Sequence, residues 1–306
     1  MAPAQSRPFR SAAAALVLAL CASSALAAGA VTTEIDGRGT LRLTGDDAAN
    51  EIEIVPGEGQ DVWRVVGVGG TTVDGVAEIE VSRARGLRAD LGAGDDRLTV
   101  DGLLLRRDLR VRGDDGEDHV QVLGTVVRGR TVVQGGGGRD RIDVARGSVL
   151  RRAVRLAANQ GGDEIVVHDA RFLGPVRIRG SRGADHVVVR RTAFAKAATF
   201  RARTGDGADV VTLDSCPFRQ DADVDTGSQD DFVQILRCGF GEDFDADLGR
   251  GDDHLVLDDC TFDEDVDVDG DRDDDTLDLD GTNEFKGRSR RPDRYTVRFR
   301  GFEDRD

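Results

Sequence analysis

Apolar and polar residues alternate in short runs along most of the chain, and the runs return at a nearly constant spacing. An aspartate followed by apolar residues two and four positions later recurs nine times, in steps of 22 to 24 residues. A second alternating pair precedes most of these aspartates, as Leu109 and Val111 precede Asp118. A repeat of this length built from period-two runs predicts a solenoid of short strands. The recurring aspartates are Asp96, Asp118, Asp140, Asp163, Asp185, Asp209, Asp231, Asp253 and Asp275.

The repeat lacks the 3.6-residue periodicity of a helix, and Gly-rich turns such as GAGDD and GRGDD separate its runs. A leucine-rich repeat has a similar length but requires a Leu-dominated pattern and often a helix. The pattern therefore predicts an all-β fold, a right-handed parallel β-helix of about nine coils with N- and C-terminal capping strands. The same register predicts an interior aromatic stack, rather than a sugar-binding platform, for Phe172, Phe194, Phe218, Phe240 and Phe262.

The two ends of the chain differ from the repeats. Arg7 and Arg10 precede an apolar run, and Ala25 to Ala27 offer a small-residue cleavage site, so residues 1–28 are predicted to be a secretory signal peptide. Export predicts a secreted, periplasmic or extracellular protein with no membrane span after signal removal. We expect an N-terminal cap with hairpin-like strands in residues 31–90, repeats in 91–285 and a C-terminal capping strand in 286–306.

Charge and cysteine content narrow the function classes. The formal net charge is −16, and removal of the two arginines of the signal leaves −18, which argues against nucleic acid as a partner. Three cysteines remain after the signal, in one column of small residues; neighbours in that column lie within disulfide range, so free thiols and one bridge are both open. The column contains Thr125, Gly147, Ala170, Thr192, Cys216, Cys238 and Cys260.

One turn matches the pattern Gly-Gly-x-Gly-x-Asp-x-apolar-x in full, with Gly135, Gly136, Gly138, Asp140 and Ile142. This turn resembles those of the RTX (hemolysin-type) calcium-binding repeat proteins. The resemblance implies that the nine recurring aspartates supply ligands to Ca²⁺ bound between stacked turns. The chain departs from that family in having one such turn per 22 to 24 residues instead of one every nine. The alternative, in which each aspartate caps its turn through a hydrogen bond to the backbone, stays open.

A second set of aspartates recurs at the repeat spacing in the C-terminal half. With the intervening valines turned inward, these side chains face outward in adjacent columns, and like charges at strand spacing favour a counter-ion, a basic partner or raised pKa values. Divalent cations satisfy that need, so these residues join the candidate calcium ligands. The set consists of Asp223, Asp225, Asp245, Asp247, Asp267 and Asp269.

The same outward columns carry arginine earlier in the repeat. Residues 101–204 have a net charge of +9, whereas residues 221–283 have a net charge of −21. One hypothesis is that the arginine stripe of one copy pairs with the aspartate stripe of another in an antiparallel dimer. The alternative is a solvated rod whose surface composition drifts along its length.

These observations predict an exported calcium-binding β-helix with a structural or adhesive role in the cell envelope or outside the cell. Alternatives are a carbohydrate-binding or polysaccharide-cleaving, pectate-lyase-like β-helix, or a metal-free structural rod. The repeat departs from 22 residues by two at most, which leaves no inserted loops for a cleft, and no residue stands out as catalytic. The enzyme question stays open. Expected partners are Ca²⁺, a second copy of the chain and a cell-surface polysaccharide.

Overall fold

The computed structural model of the protein describes residues 29–59, 61–286 and 297–302. Within these residues every regular element is a β-strand, and no helix is long and apolar enough to span a membrane. The signal peptide predicted for residues 1–28 lies outside the described residues, as does most of the segment that follows residue 286.

Two long sheets form most of the molecule. Sheet 1 has thirteen strands: β1 Ala30–Ile35, β2 Thr40–Thr44, β5 Thr72–Val73, β7 Gly86–Ala93, β10 Leu109–Asp115, β13 Thr131–Gly137, β16 Val154–Gln160, β19 Val176–Arg182, β22 Phe200–Asp206, β25 Ala222–Ser228, β28 Phe244–Arg250, β31 Val266–Asp269 and β34 Val297–Arg300. Sheet 2 has twelve: β3 Glu51–Pro56, β4 Val62–Val68, β6 Glu78–Ser82, β8 Arg97–Asp101, β11 His119–Leu123, β14 Arg141–Ala145, β17 Glu164–His168, β20 His186–Arg190, β23 Val210–Asp214, β26 Phe232–Leu236, β29 His254–Asp258 and β32 Thr276–Asp280.

Two-residue strands form a third face, which is divided into two short sheets. The first contains β9 Leu104–Leu105, β12 Val126–Val127, β15 Val149–Leu150, β18 Arg171–Phe172 and β21 Ala193–Phe194. The second contains β24 Pro217–Phe218, β27 Gly239–Phe240, β30 Thr261–Phe262 and β33 Glu284–Phe285. Each coil passes from sheet 1 to sheet 2 and then to this face, and successive coils pair in parallel, as β10 does with β13. The predicted all-β parallel β-helix of about nine coils is confirmed.

The departures from a 22-residue step lie in turns and leave the strand register intact. The 23-residue step adds its extra residue before Ser148, which therefore occupies the small-residue column opposite Thr125; the expectation of Gly147 at this position is wrong. The 24-residue step adds two residues between Phe194 and Phe200, at the point where the third face divides. Insertions are tolerated there because turns do not take part in the stacked core.

The interior is filled by the alternating apolar residues, which are almost fully buried along both long sheets. The phenylalanines of the third face stack on one another, with ring centroids 5.1 Å apart for Phe218 and Phe240 and 4.9 Å for Phe240 and Phe262. Phe244 packs against this stack from sheet 1, 4.6 Å from Phe240. The predicted aromatic stack is therefore part of the core, and these rings cannot form an exposed sugar-binding platform.

The three cysteines are buried free thiols. They continue the column that Thr125 and Ser148 begin, and the Cys216 amide donates to Cys238 Sγ at 3.4 Å. At the end of the column the Asn283 side chain takes over this role and accepts the Cys260 amide at 2.9 Å. The cysteines thus cap turns between coils, and burial raises the pKa of the Cys260 thiol.

The N-terminal coil is covered by antiparallel strands. Strands β2 and β3 already pair in parallel with β7 and β8, so they form the first coil, and β3, β4 and β6 form an antiparallel meander beside it. At the other end β34 pairs in parallel with β31. These strands complete the edges of sheets that would otherwise expose unpaired backbone groups.

Replacement of a stacked phenylalanine tests the core assignment. Phe240→Ala removes a ring with three aromatic neighbours, and we expect it to lower the free energy of unfolding by about 3–5 kcal/mol. Phe232→Ala is the matched control, because Phe232 is only half-buried on the outer side of sheet 2, and we expect it to cost about 1 kcal/mol or less. Urea denaturation measures both; equal costs would contradict the assignment.

Candidate functional site

The turn between sheet 1 and sheet 2 has a fixed conformation in every coil. The residue two positions before each recurring aspartate has a positive φ, for example 122° at Gly138 and 150° at Gly207. A Cβ on Gly138 would lie 2.2 Å from the carbonyl oxygen of Gly116 in the coil below, so close stacking of the turns favours glycine here. Gln229 and Asp273 depart from glycine but keep the conformation, with φ of 79° and 96°.

The nine recurring aspartates follow this turn and form a continuous ladder through the rod, which we call the aspartate ladder. Each is 1–3% exposed. Its Oδ1 atom accepts the backbone N–H of the ladder residue one coil earlier, at 2.7–3.0 Å, as Asp118 does for Asp96 and Asp253 does for Asp231. The amide that begins the ladder is that of Asn50, which donates to Asp96 Oδ1. Each carboxyl therefore satisfies a buried donor that no strand pairing reaches.

The other carboxyl oxygen of the ladder residues has a different environment. In all nine, Oδ2 is buried and accepts no hydrogen bond within the described residues. It lies beside backbone carbonyls: a Cβ on Gly113 would meet Asp118 Oδ2 at 1.9 Å and the Gly135 carbonyl oxygen at 2.6 Å. Asn50 occupies the same position in the first coil, and its Nδ2 donates to the Ala48 carbonyl at 2.7 Å. A proton on Oδ2 would let an aspartate make the equivalent bond.

The pKa values agree with a protonated ladder. Burial of the carboxyl is the main cause and raises the pKa to about 6 for Asp118, about 7 for Asp96, Asp140, Asp185 and Asp253, and about 8 for Asp231. The pKa is raised for the same reason in Asp163, Asp209 and Asp275. Desolvation penalises the charged form of a buried carboxyl, and the single amide hydrogen bond does not offset it.

The ladder does not have the geometry of a calcium site. Ca²⁺ takes six to eight oxygen ligands at about 2.3–2.6 Å. Here one carboxyl oxygen is bonded to an amide and the other is buried in the packed turn. Within residues 29–59, 61–286 and 297–302, no three His, Cys, Asp or Glu side chains come together in a way that could hold a metal ion. The ladder fits the turn-capping alternative, and calcium ligation by its members stays a prediction that this geometry does not favour.

The outward aspartates of β25, β28 and β31 form a second acidic feature, the acidic grid. Its two columns are in register across the three strands: Asp223, Asp245 and Asp267 in one, Asp225, Asp247 and Asp269 in the other. The grid is exposed or half-buried on the outer face of sheet 1. The sequence prediction that these side chains stack outward is therefore correct in its geometry, while their binding of calcium is untested.

Arginines from neighbouring strands flank the grid on both sides. Arg201 pairs with Asp223 at 2.7 Å, and Arg203 pairs with Asp225 at 3.1 Å. On the opposite side Arg300 of β34 lies 2.7 Å from Asp267. The outer two strands of the grid therefore have cationic partners from the same chain, which provides part of the charge compensation that the sequence left to a metal ion or a partner.

The middle strand of the grid has no such partner. Within the described residues, neither Asp245 nor Asp247 forms an ion pair. The pKa of each is raised, first by partial desolvation and then by the neighbouring carboxylates. For Asp245 these neighbours include Asp223 and Asp267 in the same column. An added cation would be stabilised most at this strand, because here the negative field is strongest relative to local compensation.

Sequence reasoning missed three features of these sites. Arg300 lies beyond the fading of the repeat, so no column placed it beside the grid. Asn50 begins the ladder 46 residues before Asp96, and only the larger spacing of the first coil concealed it. His119 and Arg141 both contact Asp143 on the outer side of sheet 2, at 2.7 Å and 3.0 Å, which a search for clustered histidines could not detect.

The fold defines the class of the protein, a parallel β-helix with one Gly-x-Asp turn in each coil. Comparison of the chain with models of protein families, with curated proteins and with solved structures finds no match. The resemblance to RTX repeats therefore rests on the turn sequence alone.

The ladder predicts an unusual dependence of stability on pH. The pKa of its aspartates is higher in the folded chain than the ordinary value of 3.8, so the stability they contribute is complete below that value and is lost as the pH rises through about 6 to 8. We expect the free energy of unfolding, measured by urea titration, to fall between pH 5 and pH 9. A rise across that range would contradict a protonated ladder.

Substitutions at one ladder position separate the hydrogen bond from the proton. Asp231→Asn keeps an acceptor for the Asp209 amide and cannot ionise, so this variant should lose less stability than the parent between pH 5 and pH 9. Asp231→Ala leaves that amide without its acceptor and should cost about 1–3 kcal/mol at both pH values. Equal behaviour of the two variants would show that the hydrogen bond is unimportant.

Proposed function

We propose that this chain is an exported β-helix rod with a structural or adhesive role outside the cytoplasm, and that its acidic grid binds Ca²⁺. The regular solenoid supports the structural role. Its coils follow one another without inserted loops, and the Phe stack and the ladder are both internal, so the outer surface offers charge rather than a catalytic cleft.

The observation that carries the calcium proposal is the uncompensated middle strand of the grid. Asp245 and Asp247 lie between two further strands of outward carboxylates, yet the available arginines pair with the outer strands. Ca²⁺ accepts carboxylate oxygens and water in flexible geometry, which suits an exposed surface that lacks a preformed cage. Such a site should be weak, with a Kd of about 0.1–1 mM as in extracellular modules.

A thermal melt tests this proposal. At ten times a Kd of about 1 mM, binding to the folded state alone adds about 1.4 kcal/mol, which should raise the melting temperature by about 3–6 °C relative to EDTA. Asp245→Asn with Asp247→Asn should raise the melting temperature in EDTA, because it relieves repulsion, and should abolish the calcium response.

The matched control is Asp114→Asn with Asp115→Asn, which removes the same charge from β10 of the same sheet, far from the grid. This variant should keep the calcium response. The calcium proposal fails if magnesium produces an equal shift, if the parent shows no shift, or if the Asp245/Asp247 variant responds like the parent.

A second candidate function rests on the opposite end of the rod. A shallow groove on the N-terminal coils is lined by nine arginines and two aspartates, with Arg42, Arg88 and Arg110 from sheet 1 and Arg107 and Arg130 from the turns. Guanidinium groups at strand spacing suit an extended acidic polymer, whose carboxylates or sulfates they can bind in a bidentate manner. We propose an acidic cell-surface polysaccharide as the ligand of this groove.

Binding of alginate, with neutral dextran as the control polymer, tests the groove. Arg107→Ala with Arg130→Ala should weaken alginate binding several-fold, because both side chains line the groove. Arg182→Ala with Arg190→Ala removes the same charge from exposed positions elsewhere and should have little effect. Dextran binding, or equal losses in the two variants, would exclude a specific role for the groove.

A further inference from the structure

The outer face of sheet 1 reverses its charge at a single boundary. In the first outward column, Arg155, Arg177 and Arg201 are followed in register by Asp223, Asp245 and Asp267. In the second column, Ala157, Arg179 and Arg203 are followed by Asp225, Asp247 and Asp269. In both columns the sign changes between β22 and β25, so the pattern on one side of this boundary is the opposite of the pattern on the other.

The ion pairs within the chain use only the strands next to the boundary. Arg201 and Arg203 pair with aspartates across it. One strand further out, Arg177 and Arg179 on β19 are exposed and form no ion pair within the described residues. The equivalent strand on the acidic side is β28, whose two outward aspartates are exposed and lack a cationic partner. Two unpaired cations and two unpaired anions thus lie the same number of strands from the boundary.

A two-fold rotation brings these groups together. An axis that runs parallel to the strands, in the plane of the sheet face and between β22 and β25, reverses the order of the coils and leaves each column opposite itself. Under this rotation β19 of one copy faces β28 of the other. Arg177 then faces Asp245, Arg179 faces Asp247, and each contact occurs twice because the interface is isologous.

We propose that this face of sheet 1 is the interface of an antiparallel homodimer, in which Arg177 and Arg179 of each copy pair with Asp245 and Asp247 of the other. Charge complementarity identifies a second copy as the occupant, since the sign reversal is matched position by position over six strands. The same rotation places Arg155 opposite Asp267, which extends the match to the outermost strands. The dimer does not rest on calcium binding, although both would use the same carboxylates.

The size of this face determines how the dimer should behave. Six strands at about 4.8 Å spacing and about 7 residues of strand length give about 600 Å² per copy, which is at the low end for a specific interface. The contacts are between exposed charges, and such interactions are screened when the Debye length falls from about 10 Å at 0.1 M salt to about 3 Å at 1 M. The dimer should therefore be weak and should dissociate at high ionic strength.

Charge exchange between two variants gives the sharpest test. Arg177→Asp with Arg179→Asp, and Asp245→Arg with Asp247→Arg, each place like charges across the interface, so each variant alone should be a monomer. An equimolar mixture should dimerise, because every contact between the two variants joins opposite charges. Sedimentation equilibrium in EDTA at about 0.05 M salt measures the mass of each sample, and the parent should be a dimer there and a monomer at about 1 M.

Both variants should fold, because the introduced charges lie beside neighbours of opposite sign. The carboxylates introduced on β19 neighbour Arg155 and Arg201, and the guanidinium groups introduced on β28 neighbour Asp223 and Asp267. Circular dichroism and thermal melts verify this. The matched control is Arg110→Asp with Arg112→Asp, the same change on an outward strand that the rotation leaves without an acidic partner; this variant should dimerise like the parent.

Three results would overturn the dimer: a monomeric parent at low salt, a variant that dimerises alone, or a mixture that stays monomeric. Failure of the calcium proposal is measured separately, by the calcium-dependent melt of the Arg177→Asp, Arg179→Asp chain. That chain keeps the whole acidic grid but cannot form the dimer, so its response to calcium does not depend on association.

Discussion

The structure depends on the stacking of identical turns in register, and the buried hydrogen bond between successive ladder residues is what fixes that register. Each coil offers one amide that the strands do not satisfy, and the carboxyl of the next coil accepts it. Because the turn approaches the coil below to contact distance, the donor is sealed from water. A buried donor without an acceptor would be costly, so each coil requires the aspartate of the next.

This constraint explains why the two acidic features of the molecule differ. The ladder carboxyls are buried one behind another, and desolvation raises their pKa so that they can be neutral at moderate pH. The grid carboxylates are on the outer face, where solvent and arginine share the task of compensation. Stacking forces both sets into columns at strand spacing, but only the exposed set can exchange its partners with ions or other proteins.

Much of the fold could be predicted from the chain. The spacing of Asp96 through Asp275 gave the coil, the alternation gave the inward faces, and Phe218 and Phe240 were placed in an interior stack. The candidate site was predicted less completely. A Gly-x-Asp turn has the same sequence whether its carboxyl binds an ion or an amide, and the difference depends on the direction of one χ angle between stacked turns. The partners of the grid included Arg300, which no repeat position announces.

The sequence by itself determined the period, the identity of the inward and outward columns and the reversal of charge along the rod, because a regular solenoid converts sequence spacing directly into position. Only the tertiary structure decided which charges are compensated. Ion pairing depends on how side chains of adjacent coils and of the final strand reach one another across the sheet. That reach leaves Arg177 and Arg179 on one side, and Asp245 and Asp247 on the other, as the charges without partners in the described chain.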